Sequence, residues 1–181
     1  MVVAVLGLSG TLLLPNLIDR STFAIQAASR AIVSDLVFAQ SDALANQEYR
    51  RVQFIEGEAA GSPYVGYCII RVTPENFNFP FDPDTADYIL DPMSNSDGEG
   101  RYVVDFSKDG RFGDVHIDSV SIDSGLDYIT FDEFGGSVSS SGGAPGTGGE
   151  IELVGGDGHR YLVTIAPFTG KTTVEVLETG S

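Results

Sequence analysis

Acidic oxygens are the first residues here that could do chemistry. Asp82, Asp84 and Asp87 crowd one stretch, and Asn95, Asp97 and Glu99 alternate a little further on. Hard cations bind where carboxylate and carbonyl oxygens cluster, so these six are the candidate metal ligands, and calcium is the ion they would suit. None of their spacings forms a recognised ligand set, and a solvated acidic loop is the simpler expectation. Asp105-Phe-Ser-Lys-Asp-Gly110 matches the opening of a calcium loop, D-x-S-x-D-G. Its twelfth position, which needs a bidentate Glu, is His116. A Lys-Asp-Gly-Arg hairpin turn accounts for it with less.

Nucleophiles and bases are sparse. His116 and His159 are the only histidines, and His159 follows a Gly-Asp-Gly turn, where a surface residue is expected. There is no G-x-S-x-G, no H-E-x-x-H and no Cys/His pairing in sequence. We therefore expect no catalytic residue, no enzyme and no bound cofactor other than a possible calcium. Cys68 is alone, which rules out an intrachain disulfide. It lies in the strand-like run Tyr67-Cys-Ile-Ile-Arg-Val72 and reads as a small buried hydrophobe. The net charge is −16, from 26 acidic and 10 basic residues. That field repels phosphate backbones. After Arg51 only Arg71, Arg101, Lys108, Arg111, Arg160 and Lys171 remain, all scattered, so no nucleic-acid partner is expected.

The element that would organise these residues is the N-terminus. Met1 to Ile18 holds no charged side chain. It runs without a turn cluster into a segment where Ile25, Ala28, Ile32, Leu36, Ala39 and Ala43 recur every three or four residues. That spacing puts the six on one helix face. The expectation is one long helix over residues 1–48 with two environments. Its first part is apolar all round, so Val3, Val5, Leu6, Leu8, Leu12, Leu13, Leu14, Pro15, Leu17 and Ile18 would face lipid or other helices. Its second part would lean its stripe on a domain. An uncharged run of 18 residues is at the short end of the roughly 17–25 that span a bilayer. Gly7, Gly10 and Pro15 are tolerated in such helices. No basic n-region precedes the run and no small-x-small site follows it before Asp19, which favours a retained anchor over a cleaved signal.

Residues 49–181 read as β. Strands are expected at Arg50–Ile55, Tyr64–Thr73, Arg101–Phe106, Val115–Ile122, Asp127–Phe134, Ile151–Leu153, Tyr161–Ile165 and Thr172–Leu177. The apolar phase slips between Ile117 and Val120, which signals a bulge. Pro74 to Gly100 reads as a long Pro-rich acidic loop. Gly135 to Gly149, all Gly, Ser and Pro in character, reads as an exposed flexible loop. No repeat and no second core is apparent. The fold class is α+β: a long N-terminal helix packed on an antiparallel sheet or sandwich of about eight strands.

Ser29-Arg-Ala-Ile-Val-Ser-Asp-Leu-Val-Phe-Ala-Gln-Ser-Asp-Ala43 followed by Val52-Gln-Phe54 resembles the "R-x-L…L-x-x-A-R-x-x-A…V" segment of the GspH/FimT family of minor pilins and pseudopilins, within the type IV pilin superfamily. Gln40 stands where that family usually has Arg. Phe131-Asp-Glu-Phe-Gly135, the Gly-rich insert, the hairpin at Gly155 to Gly158 and Pro167-Phe-Thr-Gly-Lys171 are similar to its C-terminal half. Leu12-Leu-Leu-Pro-Asn-Leu17 resembles the apolar helix with an internal Pro. The family opens with a basic leader, a Gly-Phe-Thr cleavage site and a Glu early in the mature helix. Val2-Val-Ala-Val-Leu-Gly-Leu8 is similar to the part just downstream of that Glu, so the resemblance implies a chain trimmed at its start. It also implies a structural subunit of a type II secretion pseudopilus or type IV pilus. Such a subunit is a single-pass protein of the bacterial inner membrane with a periplasmic β domain. Its partners would be other pilins or pseudopilins through the N-terminal helix, the membrane, and the assembly platform of the machine. The alternative is an anchored β domain that binds calcium or a glycan and forms no filament. Tyr64, Tyr67, Phe77, Phe79, Phe81 and Tyr88 would be its aromatic platform.

Overall fold

A computed structural model of the chain describes residues 2–59, 62–91 and 99–177, with side chains described over 22–57, 63–91 and 99–177. Helix α1 (Val2–Asn46) opens the chain. Its end is set by local geometry. Gln47 takes a left-handed φ of 54°, and the Glu48 N–H bonds back to the Ala43 carbonyl at 3.2 Å. This is the closing bond of a Schellman cap, which satisfies a carbonyl the helix leaves orphaned. The chain then reverses directly into β1 (Tyr49–Ala59).

The remaining strands are β2 (Ser62–Val72), β3 (Asp87–Tyr88), β4 (Val103–Asp105), β5 (His116–Ile122), β6 (Tyr128–Phe131), β7 (Ser137–Val138), β8 (Gly149–Val154), β9 (Arg160–Ile165) and β10 (Thr172–Leu177). They form one ten-stranded sheet in the order β10-β9-β8-β5-β2-β1-β6-β7, with β3 and β4 also paired to β2. Every pairing between these strands is antiparallel. The class is thus α+β, an N-terminal helix on an antiparallel sheet.

Four details differ from the sequence reading. The sheet has ten strands, not about eight, because β3 and β7 are two-residue strands that no periodicity can flag. The Pro-rich stretch is not one loop: β3 pairs with β2 inside it, and Leu90 bridges Arg101 across it. Residues 135–149 are not a free linker. Ser137, Val138, Gly146 and Gly148 are buried. They are held by Ser137 N–H to Phe168 O at 3.0 Å, Gly146 N–H to Ser137 O at 2.8 Å and Phe168 N–H to Gly146 O at 3.1 Å. The glycines serve close packing there: a Cβ on Gly148 would meet the Ile165 carbonyl. Lastly, the sheet has apolar residues on both faces. Tyr67 and Ile69 of β2 face the helix core, while Cys68, Ile70 and Val72 join Phe77 and Val138 in a smaller cluster on the far side. Strict alternation along β2 separates the two sets. The expected bulge is present as a register shift between Ile117 and Ser119 against β8.

Candidate functional site: the helix and its seat

Ile25, Ala28, Ile32, Leu36, Ala39 and Ala43 are each 0–1% exposed. They sit in one core with Val52 and Phe54 of β1, Tyr67 and Ile69 of β2, and Ile151, Val163 and Ile165 of β8 and β9. Three of the six are Ala. Small residues let the helix axis come close to the sheet, and larger neighbours such as Phe54 and Phe106 fill the space beside it.

Polar side chains fix the helix in register. Asp35 faces inward from α1. Its Oδ2 accepts the Tyr67 hydroxyl at 2.6 Å and its Oδ1 accepts the Tyr102 hydroxyl at 2.8 Å. Phe38 stacks on Tyr102, with ring centroids 5.2 Å apart. Burial pushes the Asp35 carboxyl above its ordinary range, and the two tyrosine bonds pull against that. Tyr67 and Tyr102 are both raised, first by burial and then by the Asp35 charge. They therefore stay protonated donors. At the C-terminal end of α1, buried Arg50 ties Asp42 of the helix to Glu48, with Nη1 to Glu48 Oε2 at 3.0 Å. Gln40 reaches furthest along the sequence. Its Nε2 donates to Gly135 O at 2.5 Å and to Thr169 O at 2.9 Å. One amide thus clamps two turns of the C-terminal half against the helix.

On the far face Arg51, also buried, lies between the rings of Tyr128 and Phe77, 3.8 and 5.0 Å from their centroids. It donates to Thr130 Oγ1 at 3.0 Å and to the Phe77 carbonyl at 2.6 Å. Burial lowers its pKa. Sequence reading singled out neither Asp35 nor Arg51, since their partners lie 26 to 79 positions away. A charged residue on an otherwise apolar helix face was the one available signal for Asp35.

The acidic candidates have other work. Asp82 closes its own turn, accepting from Asp84 N–H at 3.0 Å and Thr85 Oγ1 at 2.9 Å. Asp87 pairs with Arg71 at 3.3 Å, and Glu99 with Arg101 at 3.2 Å. Asn95 and Asp97 lie outside the described residues. Among the described residues no group of three or more His, Cys, Asp or Glu side chains is placed to hold a metal. Asp105 accepts Ser107 N–H and pairs with Lys108 at 2.9 Å, and Asp109 pairs with Arg111. That is a turn built from its own side chains. The aromatic set splits: Tyr67 and Phe77 are core, and Phe79 is exposed.

The apolar candidates between Val3 and Ile18 lie on the backbone of α1, and their side chains are outside those described. Within the described side chains, Thr22–Asn46 is long and apolar enough to cross a membrane by length and composition, and 33% of its most apolar window is buried in the protein. Comparison with family models, with curated proteins and with solved structures finds no match to this chain.

Proposed function

We propose that the chain is a structural, non-enzymatic subunit of the pilin type, either of a type II secretion pseudopilus or of a type IV pilus. One observation carries this reading. A single helix has an uncharged first part, Val2–Ile18, and a second part whose stripe from Ile25 to Ala43 seats on an antiparallel sheet. The uncharged part anchors the subunit in the inner membrane and packs against the helices of neighbouring subunits on assembly. The seated part makes helix and β domain one rigid unit, so a pull on one moves the other. The bases support a role without nucleic acid: Arg50, Arg71, Arg101, Lys108, Arg111 and Arg160 each pair with a carboxylate.

The test is fractionation and cross-linking of the full chain in bacterial cells. The chain is expected in the inner-membrane fraction, and Leu12→Arg with Leu13→Arg is expected to release it. Single cysteines at Leu8 or Leu12 are expected to form disulfide adducts with other helix-anchored subunits. Membrane retention without any adduct would turn the reading to an anchored binding domain that forms no filament.

A further inference from the structure

Strand β10 ends the sheet. Among the described residues it pairs only with β9, from Thr172 opposite Ile165 to Leu177 opposite Arg160, with no register break. An antiparallel strand bonded on one side points every second N–H and C=O away from its partner. Natural sheets blunt such an edge with a Pro, a bulge, a lysine or a very short strand. The opposite edge does so: β7 has two residues and is closed by a bridge from Val138 to Pro145. β10 has six residues, none of them Pro or Lys, and its one charge is Glu175.

Its side chains are left half-finished on one face. Val174 and Val176 stand opposite Val163 and Tyr161 and so point to the helix side. Val163 and Tyr161 are buried, whereas Val174 is 41% and Val176 60% exposed. The helix reaches β10, yet both valines stay open. Phe168, in the β9–β10 turn, is also 64% exposed. On the other face the ladder aligns Glu175 with Leu162 and Glu152, and Thr173 with Thr164 and Glu150. That face carries Glu150, Glu152 and Glu175, with Arg160 paired to Glu152.

We propose that β10 is a docking edge for an extended cationic segment of a partner protein, which adds an eleventh strand. Its apolar residues cover Val174 and Val176, and a basic residue on its other face lies beside Glu175. Main-chain bonds supply affinity in such an addition, and the alternating side chains supply choice. A second copy of this chain fits less well. A symmetric antiparallel register that keeps both valines on one face sets Glu175 against Glu175, Thr173 or Leu177, none of them a base, and it joins two chains of charge −16. The proposal does not rest on the pilin reading.

The test is backbone hydrogen exchange on the full chain in non-ionic detergent, read by mass spectrometry. The probe is the capped peptide Arg-Val-Thr-Val-Arg-Val-Thr, with Glu-Val-Thr-Val-Glu-Val-Thr as its charge-reversed control. The basic peptide is expected to slow exchange in residues 172–177 by roughly tenfold or more at saturation. The effect should weaken between about 0.05 M and 0.5 M salt. The acidic control should leave β10 unchanged. Val174→Lys with Val176→Lys should abolish the protection, and Glu175→Lys should shift preference toward the acidic peptide. Unchanged exchange in β8 and β9 shows that the variants fold. The proposal is overturned if neither peptide slows exchange, if both do so equally, or if β10 becomes protected with rising protein concentration and no peptide, which would make the occupant a second copy.

Discussion

Tyr67 and Tyr102 spend their hydroxyls on one carboxylate, and removing either donor leaves Asp35 short of a bond in a half-buried place. Tyr67→Phe is expected to cost about 1.5–3 kcal/mol, the range for a hydrogen bond to a charged group, measured by urea unfolding. Asp35 itself responds to pH. Its carboxyl is raised by burial, so its stabilising share is full below the unfolded carboxylate range and is lost as pH rises through the folded value. Asp35→Asn removes that titration. The stability of the native chain relative to Asp35→Asn should therefore fall as pH rises from about 4 toward 7, read as paired melting temperatures. Arg51 gives a sharper contrast. Its planar fork and its place between two rings suit no ammonium group. Arg51→Lys is expected to destabilise more than Arg51→Met, because the methionine leaves no buried charge behind. Cys68, buried with its thiol pushed up to about 12, should resist iodoacetamide at pH 8 until the chain unfolds. The burial of Cys68 was legible from its apolar run. The Asp35 and Arg51 sites were not, since long-range polar partners leave no local pattern.

At the scale of elements, the helix stripe is the most legible feature of this chain. Six residues at spacings of three and four are the six that the structure buries without remainder against the sheet. A period of 3.6 is a property of the chain itself, so it survives in sequence. Its close approach is testable: Ala39→Leu should cost about 1–3 kcal/mol by overpacking the helix–sheet layer. The strands with regular alternation were also legible, to within a few residues at their ends. β3 and β7 were hidden because two residues make no period. The Gly/Ser stretch misled for a physical reason. Glycine marks both loose linkers and places where two backbones nearly touch, and composition does not separate the two. Gly66 belongs to the second kind: a Cβ there would collide with the Val104 carbonyl across the β2–β4 pair. Gly66→Ala should pry β4 from β2 and cost about 3 kcal/mol, the upper end of overpacking, with Val115→Ala as a plain truncation control.

At the scale of the whole molecule, charge sets the behaviour. A sequence pI near 4.1 means that the repulsion keeping domains apart at pH 7 vanishes near pH 4. Light scattering of the chain in detergent should rise sharply there and fall again on returning to pH 7. The α+β class and the acidic balance could both be read from sequence because each is a bulk property. The order of the sheet could not, since β1 pairs with β6 and β5 with β8 across long intervals.

The Gln40 amide binds residues 95 and 129 positions away. A ribosome delivers Gln40 long before it delivers Gly135 or Thr169. An element that emerges before the sheet is therefore among the last to be locked. Until the β9–β10 hairpin arrives, the striped half of α1 has no finished surface to lie on, and its apolar side stays open. Synthesis itself thus gives a chaperone or insertase a period of access to the helix that the completed protein withdraws.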